Sequence, residues 1–122
     1  MRKDILRIPS IKNSLYSKYF INIADRKSYF NKKNIVIYGA GTYGKKALEK
    51  LKELNANILG FCDADKNKQG KYLSGFIVFD FKRLIKYYNE LNCVIVVANN
   101  KALEDIVNKL ISYKIENIAL IT

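Results

Sequence analysis

From Asn34 onward, apolar positions follow two rhythms, short continuous runs and helical spacing, and the switches between them predict the elements. The runs read as five strands: Ile35-Val36-Ile37-Tyr38, Ile58-Leu59-Gly60-Phe61-Cys62, Phe76-Ile77-Val78-Phe79, Cys93-Val94-Ile95-Val96-Val97 and Ile118-Ala119-Leu120-Ile121. Most are apolar on both faces, the pattern of a parallel sheet covered by helices on each side. Between them lie three helical stretches. Residues 42–54 place Tyr43, Ala47, Leu48, Leu51 and Leu54 on one face. A second stretch, with Asp80 as its N-cap, presents Phe81, Leu84, Ile85, Tyr88 and Leu91. A third follows Asn100 and presents Leu103, Ile106, Val107, Leu110 and Ile111. Alternating strands and helices joined by right-handed crossovers predict an α/β fold, a doubly wound parallel sheet of five strands in the order 3-2-1-4-5.

Two segments depart from this rhythm. Residues 63–75 (DADKNKQGKYLSG) are too polar and glycine-rich for a packed helix and read as a long loop or turn at the carboxyl end of the second strand. Residues 1–33 form an N-terminal helical arm before the 34–122 domain: Pro9-Ser10 opens a helix carrying Ile11, Leu15, Tyr19, Phe20 and Ile23, and Asp25 caps a short one carrying Tyr29 and Phe30. The arm is expected to pack on the sheet edge or on a second copy of the chain. Docking to an anionic partner is the alternative.

Charge sharpens the division. The chain of 122 residues carries +11, which by itself would raise nucleic acid or an anionic membrane as partners. Residues 1–33 hold nine basic side chains against Asp4 and Asp25, a balance of +7, and residues 34–122 only +4. Lys, Ile, Asn and Tyr make up 56 of the 122 residues, the bias of an AT-rich coding sequence, so part of the lysine excess carries no information. Scattered basic residues without a recognition motif argue against nucleic acid. Apolar runs fall far short of the ~20 residues that span a bilayer, and the start MRKDILRIPSIK is charged where a signal peptide is apolar, so a cytoplasmic location is expected. With no His and only Cys62 and Cys93, His-based general bases, Ser-His or Cys-His nucleophile pairs and the usual zinc spacings are excluded. The two cysteines sit on strands separated by another strand, about 10 Å apart and beyond the reach of a disulfide, so both are expected to be buried thiols.

Gly39-Ala40-Gly41-Thr42-Tyr43-Gly44 is a G-x-G-x-x-G motif set directly after the first strand and at the start of the first helix. Gly39 permits the tight turn, Gly41 lets the backbone approach a pyrophosphate, and Gly44 lets the helix pack on the strand. Unpaired N–H groups at the helix start attract phosphate. Asp63, at the end of the second strand and 24 residues beyond Gly39, stands where a carboxylate accepts hydrogen bonds from a ribose diol. It would favour NAD over NADP, although Lys66 and Lys68 lie close by in sequence. Without a ligand, the same residues would serve as a tight turn and a capping carboxylate. Asn99 and Asn100 follow the fourth strand across the topological switch point, placed either to contact a sugar or base or to cap the next helix. Tyr29 and Lys33 have a Tyr-x-x-x-Lys spacing, but they precede the glycine motif and receive no catalytic role.

The segments Ile35-Val36-Ile37-Tyr38-Gly39-Ala40-Gly41, Gly60-Phe61-Cys62-Asp63-Ala64-Asp65 and Gly70-Lys71-Tyr72-Leu73-Ser74-Gly75-Phe76-Ile77-Val78 resemble the Rossmann-like domain of bacterial surface-polysaccharide enzymes. That domain is similar to the N-terminal part of CapD-type nucleotide-sugar dehydratases and epimerases and of PglD-type sugar acetyltransferases. The resemblance covers about residues 34–122 and implies a domain that binds NAD or a nucleotide sugar. By motif match it implies nucleotide contacts at Gly39, Gly41, Gly44 and Asp63. With the rest of the glycine loop and its neighbours, the residues expected to contact the small-molecule nucleotide are Gly39, Ala40, Gly41, Thr42, Tyr43, Gly44, Asp63, Asp65 and Asn99, and no metal is expected. The hexapeptide-repeat acyltransferase and Tyr-x-x-x-Lys dehydratase domains of those enzymes have no counterpart here. The expectation is therefore a binding module excised from a longer enzyme or served by a catalytic domain or partner chain. Two alternatives stay open: a small stand-alone NAD-dependent nucleotide-sugar dehydrogenase or epimerase, and a ligand-sensing regulatory domain of a channel or transporter.

Overall fold

The computed structural model describes residues 27–99 and 101–120. The arm helices read over residues 1–26, together with Asn100 and Ile121, lie outside the described residues. A 3-10 turn, Lys27–Phe30, leads into the sheet and buries the Phe30 ring completely. The elements that follow are β1 (Asn34–Tyr38), α1 (Thr42–Glu53), β2 (Asn57–Cys62), β3 (Tyr72–Leu73), β4 (Phe76–Phe79), α2 (Phe81–Leu91), β5 (Val94–Val97), α3 (Leu103–Ser112) and β6 (Ile118–Leu120).

They form one sheet in the order β3-β4-β2-β1-β5-β6, parallel except for β3, which runs antiparallel to β4. The five strands expected from sequence take the expected order, and the fold is Rossmann-like. β3 is an addition to it. Ser74 and Gly75 both have positive φ, 52° and 87°, which is the type I′ geometry whose twist suits a two-residue hairpin. The polar 63–75 segment is therefore a turn followed by a short hairpin, and Leu73 and Phe76 face each other across it.

The helices divide between the two faces of the sheet. Val36, Tyr38, Cys62, Phe79, Ile95, Val97, Ile118 and Leu120 point toward α2 and α3, which contribute Leu84, Leu103, Ile106, Val107 and Leu110. Ile35, Ile37, Phe61, Val78, Val94, Val96 and Ala119 point toward α1, which contributes Ala47, Leu48 and Leu51, and toward Phe30. Each fully buried Leu or Phe contributes roughly 1.5–3 kcal/mol, so the two cores hold α1 and α3 firmly against the sheet. A bulge in β2 sets this division. Val36 pairs with Gly60 instead of Leu59, and the extra residue puts Ile58 and Phe61 on one face and Leu59 and Cys62 on the other. A Cβ on Gly60 would lie 2.7 Å from the Phe79 ring and 2.9 Å from the Ile77 carbonyl oxygen.

Two positions read as helix core are not. Tyr43 is 57% exposed and Leu91 42%, because each sits in a terminal turn that projects past the sheet. Cys62 and Cys93 are free thiols, both fully buried. No helix among the described residues is long and apolar enough to cross a membrane.

Candidate functional site

The site is built where the strand order reverses. β1 leads the chain into β2 on one side, and the later β5 closes against β1 on the other, leaving a crevice beyond their carboxyl ends. Gly39 makes the exit from β1. Its φ of +120° is one that L side chains rarely adopt, and a Cβ there would come within 3.0 Å of the Ala98 carbonyl oxygen beyond β5. The turn is fastened on both sides: the Gly39 N–H donates to the Cys62 carbonyl at 2.8 Å, and the Ala98 N–H to the Tyr38 carbonyl at 2.9 Å.

α1 then starts at Thr42 with Gly41 as its N-cap, and no side chain caps it. The first intrahelical bond is donated by Lys45 N–H to the Gly41 carbonyl at 3.0 Å. The N–H groups of Thr42, Tyr43 and Gly44, one turn earlier, therefore have no helical carbonyl to use. Gly44 sets how closely the helix meets the strand exit, since a Cβ there would overlap the Gly39 carbonyl oxygen at 2.0 Å. Gly41 is different. The nearest atom to its missing Cβ is the Lys68 ammonium at 3.8 Å, so its bareness leaves open space.

Asp63 stands at the end of β2. Its Oδ2 accepts the Ala40 N–H at 2.8 Å and its Oδ1 the Asp65 N–H at 2.9 Å. The carboxylate thus joins the glycine loop to the turn after β2. Each carboxylate oxygen has two lone-pair sites, so these bonds leave acceptor capacity on both oxygens. Lys68 reaches back to within 3.9 Å of Oδ2, a half-exposed ion pair worth at most about 1 kcal/mol.

Together Gly39, Ala40, Gly41, Thr42, Tyr43, Asp63, Lys68, Ala98, Asn99 and Lys101 line a half-open cavity of about 310 Å³, at the small end of ligand pockets. Of the residues singled out from sequence, seven line it. Gly44 stands behind it as a packing contact. Asp65 is off the wall: its carboxylate accepts the Asn67 N–H at 2.9 Å and shapes the turn. Asn99 combines both roles considered for it, lining the cavity while its Oδ1 accepts the N–H groups of Lys101 and Ala102, at 3.1 and 3.2 Å, ahead of α3. Lys101 was not singled out, because its place on the wall comes from that capped turn and leaves no local pattern. Tyr29 and Lys33 lie at the other end of the sheet, where the Tyr29 hydroxyl donates to Asn117 and the Lys33 ammonium sits 5.0 Å from the Tyr29 ring centroid.

Beneath the cavity floor the environment is apolar. Burial, and then the neighbouring Cys62 and Asp63, push the Tyr38 phenol up to about 12. Burial, then Asp63, push the Cys62 thiol well above its ordinary range, and burial lifts Cys93 to about 11. All three stay neutral near pH 7, and Cys93, ahead of β5 at the opposite end of the sheet, is remote from the cavity. Among the described residues no group of His, Cys, Asp and Glu is arranged to hold a metal ion.

This architecture has solved counterparts. A crystal structure of UDP-D-quinovosamine 4-dehydrogenase from Vibrio fischeri matches with a TM-score of 0.57 over 73% of this chain and 75% of that one, at 18% identity, a similarity of fold. No curated protein matches the chain. At the level of sequence families, residues 31–121 match the model described as C2185-like, N-terminal, and the chain belongs to that family.

Proposed function

We propose that this domain is a nucleotide-binding module of a sugar-modifying enzyme and takes NAD or a nucleotide sugar at the glycine loop. The observation that carries the reading is the convergence, on one cavity, of an uncapped helix start, a bare Gly41 and the Asp63 carboxylate. The ligand pyrophosphate lies against the N–H groups of Thr42, Tyr43 and Gly44, where the helix dipole favours negative charge. The ribose hydroxyls donate to the remaining lone pairs of Asp63. Tyr43 and Asn99 border the ligand on either side, Tyr43 by an exposed ring and Asn99 by the part of its amide not engaged in the turn. The Vibrio fischeri neighbour is named for a UDP-sugar, in keeping with a nucleotide sugar as the ligand. The cavity holds neither a His nor a low-pKa thiol, so chemistry on the sugar is assigned to a catalytic domain or partner chain.

Gly41→Val tests this cleanly. The position is extended, with φ −120° and ψ −154°, and its Cβ site meets nothing closer than 3.8 Å. The backbone therefore accommodates a β-branched residue, and the variant is expected to fold while filling the space against which the pyrophosphate packs. Calorimetric titration with NAD, ADP, UDP and UDP-sugars is expected to show binding by the natural sequence and none by Gly41→Val at an unchanged melting temperature. Equal binding by both, or no binding by the natural sequence at millimolar ligand, refutes the proposal.

A further inference from the structure

In most doubly wound sheets a helix links β2 to the next parallel strand. Here a polar turn does so, and it is tightly determined. Asp65 N–H donates to Asp63 Oδ1 at 2.9 Å, Asn67 N–H to Asp65 Oδ1 at 2.9 Å, and Lys68 N–H to the Asp65 carbonyl at 3.0 Å. The Gln69 side-chain amide donates to the Asp63 carbonyl at 2.8 Å, and Gly70 N–H to the Val78 carbonyl at 2.8 Å. These bonds fix where the Lys68 side chain leaves the backbone. Its ammonium stands over the cavity, 3.8 Å from the Cβ site of Gly41 and 3.9 Å from Asp63 Oδ2.

Positive charge gathers on that side of the cavity. The start of α1 carries the positive end of a helix dipole and unpaired N–H groups, and Lys68 adds a full positive charge beside it. One carboxylate, already accepting two backbone N–H groups, is the only anion on the cavity wall among the described residues. An anion with more than one charge, placed between α1 and Lys68, meets positive charge on both sides.

Resting on the nucleotide reading above, we propose that Lys68 is a diphosphate-binding residue. On ligand binding its ammonium exchanges Asp63 for the phosphate oxygens lying on the α1 N-terminus. The exchange frees Asp63 Oδ2 for the ribose and makes the site selective for nucleoside diphosphates over nucleosides. The diphosphate is common to the ADP half of NAD and to a UDP-sugar, so ADP and UDP serve as separate probes of the two sources.

The test is titration of the natural sequence, Lys68→Gln and Lys68→Arg with ADP, UDP, adenosine and uridine at low and high salt. Lys68→Gln is expected to weaken the diphosphates about tenfold, the loss of one charged hydrogen bond. It is expected to leave nucleoside binding unchanged and to reduce the salt dependence. Lys68→Arg is expected to restore most of the affinity. The tighter of ADP and UDP identifies the source. Diphosphate affinity that is the same in Lys68→Gln, or that falls by the same factor as nucleoside affinity, overturns the role of Lys68 while leaving the nucleotide site standing. Failure of the natural sequence to bind either diphosphate removes the nucleotide reading itself. Because the Lys68 side chain is 44% exposed, all three proteins are expected to melt together, which separates a binding effect from a folding one.

Discussion

Gly44→Ala isolates the closest contact in the glycine loop. A methyl group at this position would sit 2.0 Å from the Gly39 carbonyl oxygen and 3.0 Å from the Gly39 carbonyl carbon, both backbone atoms. Neither can rotate away, so the start of α1 must retreat from the strand exit by ~1 Å to reach the shortest separation real Cβ atoms show, at the usual overpacking cost of about 1–3 kcal/mol. Such a severe overlap belongs at the upper end of that range. Alanine returns at most about 1 kcal/mol through its better helix propensity. The net is a destabilisation of about 2 kcal/mol, or a fall in melting temperature of roughly 6–10 °C for a domain of this size. Gly41→Ala, on the cavity wall where an added Cβ meets nothing closer than 3.8 Å, is the control and is expected to cost less than about 1 kcal/mol. Urea unfolding followed by far-UV circular dichroism measures both, with an unchanged slope showing that the native state has been weakened without altering the unfolded one. A Gly44→Ala protein as stable as the control refutes the close packing of α1 on Gly39, and with it the placement of the first-turn N–H groups over the cavity.

Other expectations concern the support of the site. Asp80 caps α2 by accepting the Arg83 N–H at 3.0 Å, so Asp80→Ala is expected to cost about 1 kcal/mol, read as a lower urea midpoint; an unchanged midpoint would show that the cap contributes nothing. Stability is also expected to fall in alkali. Cys93 and Tyr38 are neutral when protonated, and their ordinary values of 9.0 and 10.0 rise to about 11 and about 12 on folding. The unfolded chain thus releases these protons first, and the stabilisation is complete below pH 9 and lost as pH rises toward the folded values. A urea midpoint that stays flat across that window contradicts the burial of both groups.

Much of this was legible because its signals are local. A strand such as Ile35-Val36-Ile37-Tyr38, apolar on both faces, followed at once by three spaced glycines and a helical stripe, leaves few other structures for residues 34–54. Asp63 was legible for the same reason, at the end of the next apolar run. What escaped depends on how separate segments meet. Sequence places Lys68 near Asp63 without saying which way it faces and gives no sign of Lys101; both reach the cavity through turns fixed by Asp63, Asp65 and Asn99, and a lysine in a polar loop looks the same whether it faces a ligand or water. The bulge at Leu59 and Gly60 is written in Gly60, yet its necessity comes from the Phe79 ring on a neighbouring strand. The β3–β4 hairpin did have a local sign, Ser74-Gly75 between two apolar residues, submerged in the polar character of the whole segment. Helical phase places Tyr43 in the core, but it lies in the first turn of α1 and is exposed, because phase alone does not decide burial at a helix end.

The turn after β2 links fold to function. A crossover helix there would add an apolar stripe over the α1 face of the sheet, where Ile58, Leu73 and Phe76 remain only half-buried. The domain forgoes that burial, of the order of 1 kcal/mol for each half-covered side chain. In its place, residues 65–71 form a hydrogen-bonded turn that delivers a lysine to the glycine loop. A helix starting directly after Asp63 would carry its side chains away from the cavity along its axis, at 1.5 Å per residue. The turn instead folds back, so that residue 68 faces residue 41. Asp63 is the pivot of the arrangement, since its two carboxylate oxygens and its carbonyl accept bonds from the glycine loop, from Asp65 and from Gln69. Loop, turn and carboxylate are therefore one unit, and a change at Asp63 disturbs the position of Lys68 as well as the acceptor for a ribose. Only a substitution at Lys68 itself separates the two effects.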